Sequence, residues 1–173
     1  MRRILPLIPI VVLLALGALF AGYGLHHDPQ VQPNALIGKP LPSMAFPALD
    51  GGQPERTAAL LHGKPGLVNL WYSACGPCIL EAPQLMKLKQ DGVNIVGVTW
   101  MDEPGNSAAF LDRYGNPFSK VLVGGDRASV EFGITAAPET FIVNSKGQVV
   151  DKHIGSITDT DVPRIEQQLK SLS

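Results

Sequence analysis

The stretch Leu67-Val68-Asn69-Leu70-Trp71, followed by Cys75-Gly76-Pro77-Cys78 and Ile79-Leu80-Glu81-Ala82, decides how the chain is read. Its first part is an apolar run with turn residues before it (Gly63-Lys64-Pro65-Gly66), the pattern of a buried central strand. Its last part reads as helix. Two cysteines, the only ones in the sequence, therefore fall where a strand runs into a helix. Unpaired backbone N–H groups and the helix dipole favour an anion at that place, so the first cysteine is expected to be thiolate-prone. The second, within the next turn, can attack a mixed disulfide formed on the first. Pro77 suits a helix start, where its missing N–H has no partner to lose. The pattern predicts thiol–disulfide exchange.

Other chemistries fit the motif less well. A zinc site takes four ligands, and there is no second cysteine pair. His26, His27, His62 and His153 are at no ligand-like spacing from the two cysteines. Haem attachment needs C-x-x-C-H, and Ile79 follows Cys78. A purely structural disulfide remains open as a reading, although so short a loop constrains the unfolded chain little.

The N-terminus predicts an anchor. Arg2-Arg3 precede an apolar stretch from Ile4 to Leu25 with no charge in it, long enough at about 20 residues to span a bilayer. The nearest small-x-small site, Leu19-Phe20-Ala21, is poor because Leu19 is not small, so an uncleaved anchor is expected over a signal peptide. Residues 1–25 are assigned to this anchor. Residues 26–36, with Pro29 and Pro33, read as a tether, and 37–173 as one compact domain. A net charge of −1 and the lack of a basic run argue against nucleic acid as a partner. Beyond the bacterial inner membrane, cysteines are driven toward disulfides. A C-x-x-C protein there either oxidises others or is kept reduced by a partner, and the motif alone does not say which.

Further elements follow along the chain. The first helix should run to Asp91-Gly92, and Val93–Trp100 is a second β-branched core strand. A helix near Asn106–Tyr114 ends at Gly115, and Ser119–Val123 is a short strand. Arg127–Phe132 makes a helical turn before Gly133. Thr140–Val143 and Gln148–His153 form a hairpin, and a last helix covers Thr160–Leu169. This order gives an α/β sandwich around a mixed sheet.

On these residues the chain resembles thioredoxin-fold proteins and, within them, the DsbE/CcmG family of membrane-anchored reductants in cytochrome c maturation. The resemblance runs from Leu36 to the C-terminus. Its pieces are Ile37-Gly38-Lys39-Pro40, Val68-Asn69-Leu70-Trp71, the C-G-P-C, Asn94-Ile95-Val96-Gly97-Val98 and Phe132-Gly133-Ile134-Thr135-Ala136-Ala137-Pro138-Glu139-Thr140-Phe141. It implies a cis Ala137–Pro138 bond beside the active cysteine, with the Ala137 backbone free to pair with a substrate strand. Read from base rates alone, Pro138 is an ordinary trans loop proline.

Two acids carry the mechanistic interest, Glu81 through the resemblance and Glu139 through its place beside Pro138. Where ordinary thioredoxins carry a buried aspartate this chain has Asn69, which cannot accept a proton. Glu81, one helical turn after Cys78, is expected to be partly buried and to relay the Cys78 proton; a solvated first-turn glutamate is the plainer reading. Glu139 is expected to tune Cys75 or touch a partner, against plain surface charge. The expected catalytic set is Cys75, Cys78, Glu81 and Pro138, with Cys75 and Cys78 forming the redox-active disulfide. Trp71, Gly76, Pro77, Ala137 and Glu139 are expected to meet substrate, although Trp71 and Tyr72 also read as core and rim packing. Pro83 reads as structural. One departure is Ala74, where the family has tryptophan, which is expected to leave a more open surface around Cys75.

The family implies a protein-disulfide reductase of the periplasm, single-pass in the inner membrane and monomeric, with no cofactor or metal. Its client would be apocytochrome c or a thiol partner of the maturation system, and a DsbD/CcdA-like membrane electron donor would recharge it. Competing readings are a general extracytoplasmic thioredoxin of the TlpA or ResA kind, a non-catalytic apocytochrome-binding module, and a peroxidase.

Overall fold

The computed structural model describes residues 8–26 and 36–172. The expected tether falls almost wholly on residues outside this set. Two compact units divide at Pro33/Asn34. The first contains helix α1 (Ile8–His26), which carries no charged side chain. Among the described residues no helix is long and apolar enough to cross a membrane.

The second unit is built on strand β3 (Gly66–Trp71), every residue of which is buried. Helices cover both faces of a sheet in such a place, so apolar residues are needed on both sides of the strand. In the five-stranded sheet, β3 lies between β4 (Ile95–Thr99), which is parallel to it, and β6 (Glu139–Val143), which is antiparallel. Strand β5 (Lys120–Val123) continues beyond β4, and β7 (Val149–Ile154) beyond β6. The sheet is mixed, as expected. A small antiparallel pair, β1 (Ala45–Phe46) with β2 (Glu55–Arg56), and the one-turn helix α2 (Thr57–Leu60) precede β3. None of these three was read from the sequence.

Helix α3 (Gly76–Gln90) follows β3, α4 (Pro104–Tyr114) follows β4, and α5 (Gly125–Phe132) follows β5. Helix α6 (Asp161–Ser171) closes the chain. Gly133, at φ 59°, terminates α5 in the left-handed conformation that glycine adopts without penalty. Alternation along β3 splits the core in two. Val68 and Leu70 face Phe141, Phe132 and Phe46 on one side of the sheet. Leu67 and Trp71 face Leu85 and Leu88 of α3 and Ile165 of α6 on the other. Asn69 points to this second side, level with Gly97 of β4 and Thr140 of β6. Trp71 packs between the rings of Phe110 and Phe118, with centroids 4.9 and 5.5 Å away.

Gly97 is what lets Phe118 close over this layer. A Cβ there would lie 2.8 Å from the Phe118 ring. Gly97→Ala should therefore lower the urea midpoint, with a loss of about 1–3 kcal/mol from overpacking; an unchanged midpoint would contradict the close approach.

Candidate functional site

Helix α3 begins at the cysteines. Cys75 is its N-cap, in extended conformation, and is joined to Cys78 by a disulfide with Sγ–Sγ 2.04 Å. The Cys78 N–H donates to Cys75 Sγ at 3.1 Å. This N–H of the helix start, which also donates to the Cys75 carbonyl at 3.1 Å, thus faces the sulfur that would carry negative charge after reduction. Gly76 and Pro77 are exposed, while Cys75 and Cys78 are 1% and 3% exposed. The Ala137–Pro138 bond is cis, and the Ala137 carbonyl oxygen lies 3.6 Å from Cys75 Sγ. In the disulfide that sulfur has no proton, so this is a contact; a Cys75 thiol would find an acceptor there. Ala74 is exposed and borders an open groove with Asn106, Phe110 and Arg113 of α4. Cys75 stays buried next to this small side chain.

Glu81 is fully buried, more than the partial burial expected from sequence, and a solvated first-turn glutamate is excluded. Its Oε1 accepts from Asn69 Nδ2 at 2.9 Å and its Oε2 from the Ile157 N–H at 3.1 Å. Asn69 Nδ2 also donates to Thr140 Oγ1 at 2.9 Å. Burial pushes the Glu81 carboxyl up to about 7, against the lowering effect of the Ile157 and Asn69 hydrogen bonds. A cavity of about 10 Å³ touches Cys78, Glu81, Asn69 and Trp71, at the lower limit for holding one water. Asn69 Oδ1 and Trp71 Nε1 beside it have no hydrogen-bond partner among the described residues.

Two expected substrate contacts are corrected. Trp71 is 1% exposed and held in the ring stack with Phe110 and Phe118, so it is core. Glu139 is also 1% exposed. It opposes Leu70 and so faces away from Asn69 and Thr140. There it pairs with Lys152 of β7, Nζ to Oε2 2.6 Å, in an ion pair too poorly aligned to count as a hydrogen bond. The same ammonium lies 5.3 Å from the centre of the Phe141 ring. Glu139 is neither a partner contact nor a plain surface charge.

Sequence reasoning missed Asp102, Thr140 and Ile157. Asp102 Oδ2 accepts from the Ser73 N–H at 2.9 Å and from Ser107 Oγ at 2.6 Å, and Oδ1 from Ser73 Oγ at 2.7 Å. These bonds fix the loop that delivers Ala74 and Cys75. Its only signal is an aspartate just after a core strand. Among the described residues no cluster of His, Cys, Asp and Glu could hold a metal ion.

The Glu81 shift has a consequence for stability. The folded protein binds the Glu81 proton more tightly than the unfolded chain does. That contribution is full below the ordinary carboxyl range near 4.5 and is lost as pH rises through about 7. The loss is about 3 kcal/mol at most. Urea unfolding at pH 5 and pH 8 should show the wild type losing more stability than Glu81→Gln; parallel losses would contradict the buried titration.

With this geometry the chain can be set beside known proteins. The redoxin family model matches residues 36–169. The chain is 36% identical over 157 residues to the thiol:disulfide interchange protein HelX of Rhodobacter capsulatus, covering 89% of each chain. It is 39% identical over 153 residues to the thiol:disulfide interchange protein DsbE of Allochromatium vinosum, covering 87% of this chain and 84% of that one. Among solved structures, dsbF of MTB, in its mixed oxidized and reduced forms, superposes with TM-score 0.64 at 27% identity, over 73% of this chain and 94% of that one. A secreted thiol-disulfide isomerase from Corynebacterium glutamicum, TM-score 0.68 at 16% identity over 84% of this chain and 96% of that one, shares the fold. A redoxin domain of thioredoxin fold with a cysteine pair at its helix mouth, and relatives this similar over nearly their whole length, make the chain a thiol:disulfide oxidoreductase that belongs to the DsbE/HelX (CcmG) family.

Proposed function

We propose that this oxidoreductase reduces disulfides of apocytochrome c, or of a thiol partner holding it, from a membrane-tethered position in the periplasm. The Cys75 thiolate attacks a client disulfide, and one client sulfur leaves as thiol. Cys78 then attacks Cys75 Sγ, the mixed disulfide breaks, and the client gains two electrons as Cys75–Cys78 closes. Ala137 and Pro138 present the client strand beside Cys75, and Gly76 and Pro77 border it. The observation that carries this reading is the Ala137 carbonyl 3.6 Å from Cys75 Sγ, which joins the thiol site and a strand-docking edge in one place.

Glu81 serves as the proton acceptor for Cys78. A carboxyl near 7 gives and takes a proton at working pH. The small cavity that touches both Cys78 and Glu81 supplies a path for that proton. Haem attachment needs both cysteines of C-x-x-C-H reduced, which explains a dedicated reductant in an oxidising compartment. A DsbD/CcdA-like membrane donor would return the two electrons. Arg2-Arg3 and the charge-free helix α1 support residues 1–25 as the anchor, 26–36 as tether and 37–173 as the working domain. Exposed Ala74 beside an open groove favours one second reading, a general extracytoplasmic thioredoxin with broader clients.

Two experiments test the roles. Cys78→Ser should accumulate a mixed disulfide with an oxidised C-x-x-C-H peptide, and Cys75→Ser should form none; a trapped adduct on Cys78 would reverse the assignment. The resolving rate should rise as pH passes through about 7, where Glu81 ionises. Glu81→Gln should remove that rise, and an unchanged profile would sink the relay.

A further inference from the structure

Gly155, Ser156 and Ile157, between β7 and α6, donate in turn to three separate parts of the site. The Gly155 N–H donates to the Pro138 carbonyl at 2.9 Å. Ser156 Oγ donates to the Pro77 carbonyl at 2.7 Å, and the Ile157 N–H to Glu81 Oε2 at 3.1 Å. One strap thus touches the cis-proline loop, the residues between the cysteines and the buried acid. Those parts come from distant stretches of chain that the β3–β6 ladder aligns only as strands.

The strap is itself held at both ends. Gly155 has φ 88°, a conformation that favours glycine. A His153 ring nitrogen, Nε2, lies 3.2 Å from the Ser156 carbonyl oxygen. The Thr158 N–H and hydroxyl bond Asp161 Oδ2 at 2.9 and 2.6 Å, which fixes the start of α6. Gly155 and Ile157 act through their backbone N–H groups, the first in a conformation that favours glycine. Ser156 provides the one side-chain contact, and it is only half-buried.

Pro77 and Glu81 bracket Cys78 on the first turns of α3. Holding both from the same strap fixes the turn that carries the resolving sulfur. We propose that Ser156 is a positioning residue for the resolving step, its hydroxyl on the Pro77 carbonyl keeping Cys78 in line with Cys75 Sγ while the mixed disulfide is open. The proposal rests on the roles given above to Cys75 and Cys78. In that step the Cys78 sulfur gives up its proton and bonds Cys75 Sγ, and the Cys75–client bond breaks. The client sulfur leaves as thiolate and takes up a proton. The earlier attack by Cys75 needs no movement of Cys78; Ser156 bears on it only through the Pro77–Cys78 peptide, whose N–H faces Cys75 Sγ, so the larger effect falls on the second step.

The test mixes reduced full-length protein, in detergent, with dithiobis(nitrobenzoate) in a stopped-flow cell. The first thionitrobenzoate released reports attack by Cys75, and the second reports attack by Cys78 on the adduct. Ser156→Ala should slow the second phase about fivefold, the effect of losing one neutral hydrogen bond, and leave the first within about twofold. Ser156→Thr keeps the hydroxyl and should restore the second phase. An unchanged second phase, or equal slowing of both phases, overturns the proposal. Cys78→Ser separates the two readings. If it still releases the second thionitrobenzoate, Cys78 does not resolve and the strap proposal falls with that role. If it stops after the first while Ser156→Ala behaves as wild type, the strap alone is wrong.

Discussion

A carboxyl buried away from water must find hydrogen-bond donors or remain protonated, and Glu81 makes the site depend on that constraint. Its two oxygens draw in Asn69 from the central strand and the Ile157 N–H from the loop before the last helix. Through Asn69 they reach Thr140 on the neighbouring strand. The side chain of Asn69 is suited to this, because its amide donates to both. An ionised aspartate there could not donate, and two carboxylates at that distance would drive each other's titrations apart. The result is an acid held near balance between its two forms, one helical turn from Cys78.

The layers of the molecule divide the work. The second core face, with Trp71 clamped by Phe110 and Phe118, seals Glu81 and Cys78 from solvent. The opposite face carries the buried Glu139–Lys152 pair under the start of β6. Breaking one partner of such a pair leaves an uncompensated buried charge. Asp102 holds the loop before Cys75, accepting from Ser73 and Ser107.

The main elements were legible because their signals are local: an unbroken apolar run at Leu67–Trp71, a β-branched run before Thr99, and glycines where α4 and α5 stop. Strands β1 and β2 have two residues each, too few for any periodicity, and α2 is a single turn. Glu81 could be placed on the face of Cys78 from spacing alone. Its complete burial could not be read, since the covering groups come from Asn69 and from Ile157, far along the chain. Glu139 misleads for a related reason. Adjacency to Pro138 suggests the active site, but strand alternation turns its side chain to the other face of the sheet. Ser156 carries no sequence signal, because its role exists only where β7 ends against the first turn of α3.

The central claim is that the Cys75–Cys78 pair delivers electrons to client disulfides. The most direct measurement is the equilibrium reduction potential of that pair in the full-length protein, titrated against thiol–disulfide buffers. A reductant recharged from the membrane should lie roughly between −270 and −200 mV. A value near about −120 mV, the strong-oxidant end, would mean that the pair makes disulfides and would contradict the account.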